Sequence, residues 1–161
     1  MNNEFYLADT IDIIEEVLAS GGEFRMFPKG TSMLPLIVQG EDSVVLRRSD
    51  EPLKKKDIAF YRRDSGQFVL HRIVRVDKNG IYTMCGDNQT VLERGIRPDQ
   101  IIGYVSDIYK GETLLDRASL KNRAYLFFWG SIPLRRTIRF PRRALGKCKR
   151  VFLKIFGKKV D

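Results

Sequence analysis

A serine, a histidine and two carboxylates are the side chains of this chain that could do covalent chemistry together. Ser32 lies in Gly30-Thr31-Ser32-Met33-Leu34-Pro35-Leu36-Ile37, between a glycine-led turn and an apolar run, where limited backbone freedom would hold its hydroxyl in a shallow groove. His71 is the only histidine. A hydroxyl and an imidazole are the minimum for base-activated nucleophilic attack. Such a base works best when a carboxylate orients its second ring nitrogen and stabilises the imidazolium. The segment from Gly86 to Gly95 offers two, Asp87 and Glu93. Each residue also has a plain structural reading. Serines beside Gly and Pro are commonly turn residues, and a lone strand histidine is commonly structural. Asp87 suits a cap on the amides of Asn88 and Gln89. Glu93, next to Arg94 and near Arg97, suits a surface ion pair worth little.

The elements that must position these groups are mostly short strands. Alternation in Phe68 to Val76 puts Phe68, Leu70, Arg72, Val74 and Val76 on one face and Val69, His71, Ile73 and Arg75 on the other. Further strands are expected at 23–26, 43–47, 57–62, 80–84 and 101–108, punctuated by Gly40, Asp64-Ser65-Gly66, Asn79-Gly80 and Pro98. Asn79-Gly80 predicts a tight hairpin with two φ > 0 residues. Ahead of them, Leu7, Ile11, Ile14, Val17 and Leu18 recur at helical spacing and Gly21-Gly22 ends the run, predicting an amphipathic helix over about 5–19 packed on the domain. The expected class is mostly β, a coiled antiparallel sheet pair or partly open barrel, with an N-terminal helix (1–22), a β domain (23–116) and a basic C-terminal tail (117–161).

Six boxes in order carry a resemblance: Gly30-Thr31-Ser32-Met33-Leu34-Pro35, Gly40-Glu41-Asp42, Lys56-Asp57-Ile58-Ala59-Phe60, His71-Arg72-Ile73-Val74, Gly86-Asp87-Asn88 and Ile102-Gly103-Tyr104-Val105. Over roughly residues 25 to 110 the chain resembles the signal peptidase I and SOS-repressor peptidase superfamily. The His-Arg-Ile-Val box is similar to the endoplasmic-reticulum and sporulation-type signal peptidases, whose base is histidine. The resemblance implies that fold, a Ser32–His71 pair, and an orienting acid at Asp87 or at Glu93, which stands where that family carries a second aspartate. It also implies a groove for extended peptides lined by Met33, Leu34 and Pro35, with Leu36 and Ile37. The residues themselves leave open that these are simply core. Two departures from the family are Glu for Asp at 93 and Gly30 in place of a hydroxyl-bearing oxyanion donor.

Charge separates the chain into two parts. Residues 1–116 hold 15 Lys and Arg against 19 Asp and Glu, whereas 117–161 hold 14 against Asp161 alone. At 43% hydrophobic and 30% charged, the whole is globular in composition rather than disordered. The apolar run Tyr125 to Leu134 is about half the ~20 residues needed to cross a bilayer. Beyond it, Cys148, Val151, Phe152, Ile155 and Phe156 recur at helical spacing among lysines and arginines, so 135–159 suit an anionic membrane surface, with nucleic acid the competing partner. The N-terminus lacks a basic, apolar leader or a spanning helix. Cys85 and Cys148 have no zinc spacing and read as free thiols, and no cofactor is implied.

Two functions are therefore expected in turn. One is a cytoplasmic serine endopeptidase, peripheral to the membrane, that cleaves a leader-like or propeptide segment in extended form. The other is a catalytically weak or inactive peptide-binding relative of the same fold.

Overall fold

In the computed structural model, which describes residues 3–116, 118–129 and 135, two units are distinguished, Met1–Ser119 and Leu120–Asp161. The first holds one helix, α1 (Asn3–Ala19), and eight strands: β1 (Phe24–Met26), β2 (Asp42–Arg47), β3 (Ile58–Arg62), β4 (Phe68–Val76), β5 (Tyr82–Cys85), β6 (Glu93–Ile96), β7 (Ile101–Lys110) and β8 (Thr113–Leu114). The second contributes α2 (Leu120–Trp129). The basic segment 135–159, expected at a membrane surface, lies outside the described residues apart from Arg135. Among the described residues no helix is long and apolar enough to cross a membrane.

The helix ends as its sequence directs. Gly21 takes a left-handed conformation (φ 80°), which lets its N–H bond the Leu18 carbonyl and the Gly22 N–H bond that of Val17. Ile11, Ile14 and Leu18 are buried on one side while Ile13 stays exposed. Leu7 lies outside the described side chains. Leu18 rests on β7 at Gly103, where a Cβ would come within 2.9 Å of Leu18 Cδ1 and 3.0 Å of the Arg47 carbonyl oxygen. A glycine there is what lets the helix sit close to the sheet.

The strands form one antiparallel sheet in the order β1-β2-β7-β3-β4-β5-β6. The long strand β7 is its pivot. One edge pairs with β2 from Tyr104 to Lys110, and the other is shared by β3 at Ile101–Tyr104 and β8 at Tyr109–Lys110. Register shifts interrupt the ladders β2/β7, β3/β7, β4/β5 and β5/β6, and each extra residue bends the sheet locally. Ala59 and Tyr61 from β3, Val69 and Ile73 from β4, and Tyr82 and Met84 from β5 belong to one core cluster with Leu53 and Ile96.

Two expectations need correction. The Asn79-Gly80 turn has only Gly80 at positive φ (77°), and Asp77 organises it instead, its carboxylate accepting from the N–H groups of Asn79 and Ile81. An Asx-type turn satisfies the same amides without strain at Asn79. In addition, β6 and β8 form where no strand was expected. Four and two residues long, they carry too little periodicity to stand out in a sequence and exist through pairing with β5 and β7.

Candidate functional site

His71 sits at the middle of β4, opposite Ala59 on β3. Tyr61 lies two residues further along β3, on the same face, so its hydroxyl reaches diagonally to within 3.3 Å of His71 Nδ1. Glu93 arrives from two strands away. Ile73 pairs with Met84 and Met84 with Glu93, so the acid opens β6 and its long arm spans back across the sheet. Its Oε1 lies 3.0 Å from His71 Nδ1. A carboxylate beside Nδ1 fixes the proton on that nitrogen and leaves Nε2 as the acceptor.

Arg63 holds Glu93 from the other side. Its Nε donates to Glu93 Oε2 at 2.7 Å and its Nη2 to Oε1, while Nη1 donates to Gln67 in the β3–β4 loop. The charges act in opposite directions. Burial lowers the His71 pKa, as does Arg63, and Glu93 opposes them; the sum lies below the ordinary 6.5. Burial would raise Glu93, but hydrogen bonds from Arg63 and Tyr61 outweigh it and hold the carboxyl below its usual range. Tyr61 is pushed far up, first by burial and then by Glu93, so it remains a hydroxyl donor. The result is a neutral imidazole braced by an ionised carboxylate.

Asp87 has a different task. It is fully buried and accepts from Arg72 Nε at 2.8 Å and Nη2 at 2.6 Å, while Arg72 Nη1 reaches the Lys56 carbonyl. Arg72 pairs with Cys85 across the β4–β5 ladder, which places Asp87 on the diagonal. The expectation that Asp87 caps the amides of Asn88 and Gln89 is corrected by their partners: Asn88 N–H donates to the Ser32 carbonyl at 2.7 Å and Gln89 N–H to that of Gly86 at 2.9 Å. Glu93 is likewise paired with Arg63 and not with Arg94 or Arg97.

Through Asn88 the turn grips the serine loop. Its side-chain Nδ2 donates to the Thr31 carbonyl at 2.9 Å, so one asparagine binds the two peptide oxygens flanking the Ser32 amide. The far end of the loop is anchored by Asp42, which accepts from Val38 N–H and Lys110, and by Lys110 on the Leu36 carbonyl. Gly86 lies between serine loop and imidazole. A Cβ there would stand 2.7 Å from the Ser32 carbonyl oxygen and 3.1 Å from His71 Nε2. Only a residue without a side chain lets the two approach.

Ser32 and His71 open onto one cleft of about 230 Å³, with Gly30, Met33, Ile37 and Gln89 among its walls. Of the residues expected to line a groove, Met33 and Ile37 do so while mostly buried. Leu34 and Pro35 are not among its lining. No hydrogen bond joins Ser32 to His71, and among the described residues the Ser32 N–H and hydroxyl have no acceptor. Such contacts in an unliganded site commonly tighten only around substrate. Tyr61, Arg63 and Asn88 were not singled out from the sequence. For Tyr61 a signal existed, an aromatic on the same strand face as the residue opposite His71; for Arg63, in a loop, there was none.

Comparison with family models, with curated proteins and with solved structures finds no match for the chain.

Proposed function

We propose that this chain is a serine endopeptidase resembling signal peptidase I of the histidine-base type, with the corresponding signal-peptidase and SOS-repressor-like fold. The observation that carries the reading is His71, buried in a strand with Nδ1 3.0 Å from Glu93 and Nε2 turned toward the Ser32 cleft. Ser32 Oγ attacks the scissile carbonyl as Nε2 takes its proton; the same proton passes to the leaving amine, and water then releases the acyl group by the reverse route. Glu93 orients the ring and stabilises the imidazolium. Asp87 braces the turn through Arg72. The Ser32 N–H is available to the oxyanion. The substrate is a leader-like or propeptide segment in extended form, met on the cytoplasmic side, with residues 135–159 bringing the enzyme to an anionic membrane.

The second reading, a weak or inactive peptide-binding relative, is favoured by Gly30, which cannot supply a second oxyanion hydroxyl. One missing donor costs ~10²–10³ in rate. A fluorophosphonate probe separates the two. The peptidase reading expects labelling of the native chain, none of Ser32→Ala and much slower labelling of His71→Ala. A folded native chain that is not labelled leaves the binding relative.

A further inference from the structure

The imidazole, the acid beside it and the arginine behind that acid share one further neighbour. The Tyr61 hydroxyl lies 3.3 Å from His71 Nδ1 and also donates to Glu93 and accepts from Arg63, so it stands where all three groups meet. Tyr61 is fully buried, and its ring belongs to the core cluster with Val69, Ile73, Tyr82 and Met84, which fixes where the hydroxyl can be. Ala59, directly opposite His71 in the ladder, ends at Cβ and gives the ring no polar contact; Tyr61 supplies one from the diagonal. Arg63 is the weaker anchor. It stands just past β3 and is partly exposed, so water and salt compete for its contact with Glu93.

We propose that Tyr61 is a positioning residue of this site, its hydroxyl clamping the Glu93 carboxylate from the buried side against His71 Nδ1 so that Nε2 is presented to Ser32. Glu93 is a long side chain reaching across from β6, with several torsions to be frozen before it can orient a ring. Because the hydroxyl donates to that carboxylate, only its lone pairs are left to face Nδ1. A protonated Nδ1 then meets acceptors in both Glu93 and Tyr61, whereas a bare Nδ1 would meet only lone pairs unless the hydroxyl let go of Glu93. The tyrosine thus couples the position of the acid to the tautomer of the base. Burial and Glu93 push its own ionisation far above the usual range, so it stays a donor wherever the site works. Tyr61 is not among the residues lining the Ser32 cleft, and it acts through Glu93 and His71. The inference rests on Ser32 and His71 being the reactive pair, but the tautomer it assigns does not require that the cleft cleave.

The test uses the full chain and sets Tyr61→Phe against Tyr82→Phe, which removes a hydroxyl of the same core cluster that accepts from the Leu53 N–H. Because His71 is the only histidine, proton–nitrogen NMR spectra read its ring nitrogens without ambiguity. With the ring neutral, the proton is expected on Nδ1 in the native chain. Its exchange with water should quicken about tenfold in Tyr61→Phe, the scale of one hydrogen bond to a charged group. Fluorophosphonate labelling of Ser32 should slow by about the same factor. Tyr82→Phe should leave both at their native values. A native proton on Nε2, or equal exchange in the two variants, overturns the clamp. So does equal labelling of the two where the native chain is labelled, and the peptidase reading then stands alone. A native chain that resists the probe, with exchange quickened in Tyr61→Phe only, keeps the clamp and removes the peptidase reading. The native tautomer needs no variant, and so tests the clamp even where Tyr61→Phe fails to fold.

Discussion

Two arginine–carboxylate pairs, Arg72–Asp87 and Arg63–Glu93, have acids only six residues apart, and they differ in almost everything except chemistry. Arg72 and Asp87 are sealed in, with side chains 3% and 0% exposed; Arg63 and Glu93 are 31% and 22% exposed, at the rim of the cleft. The buried pair is joined by two hydrogen bonds and reaches the Lys56 carbonyl, whereas the rim pair keeps one carboxylate oxygen against His71. The same ionic contact is a fastener where water is excluded, and at the rim it holds a carboxylate against a neighbouring imidazole.

Removing a partner from the sealed pair should give the largest effect. Asp87→Ala strands a buried guanidinium and is expected to cost roughly 3–5 kcal/mol in urea unfolding. Glu93→Ala should cost about 1 kcal/mol or less, the scale of a partly exposed pair. Equal losses would erase the distinction between them.

Reactivity should rank the pairs the other way. Glu93→Gln removes the charge that stabilises the imidazolium and is expected to slow fluorophosphonate labelling of Ser32 by ~10² or more at little cost in stability. Labelling at the native rate would return Glu93 to a surface role. Between these extremes lies Gly86→Ala, whose methyl meets a backbone oxygen at 2.7 Å and an imidazole nitrogen at 3.1 Å. It should destabilise by ~1–3 kcal/mol and slow labelling together, because one insertion disturbs both sides of the site. An unchanged Tm and labelling rate would mean that the serine loop is not held against the ring.

The smallest effect is in pH dependence. A base with its folded pKa below 6.5 is neutral at pH 7, so labelling should be flat there and fall only as acid protonates it, with a midpoint below 6.5. The unfolded chain protonates at its ordinary value first, so His71 subtracts stability as pH drops below 6.5. Arg63→Gln removes a charge that lowers this pKa and should shift the labelling midpoint upward. A downward shift would contradict the electrostatics of the rim pair.

Much of the fold was legible from local pattern. The α1 spacing with its Gly21-Gly22 stop, and the strands at β2, β3, β4 and β7, follow from periodicity and punctuation acting over neighbouring residues. The turn at Asp77 was misread because an aspartate side chain satisfied amides that Asn79-Gly80 backbone geometry also satisfies. The short strands β6 and β8 were invisible for want of length.

The sequence by itself determined which side chains exist to do chemistry: one histidine, a serine in a constrained loop, and two acids within reach of a turn. Tertiary structure alone decided which acid does what. Asp87 and Glu93 are both carboxylates of one short segment, and nothing local says which faces the imidazole. The choice comes from strand register, since pairing of Arg72 with Cys85 aims Asp87 at the guanidinium, and the path Ile73 to Met84 to Glu93 delivers the longer side chain to the imidazole. The same long-range pairing brought Asn88 onto the Ser32 loop from 57 residues away from Thr31, a contact that no spacing along the chain encodes.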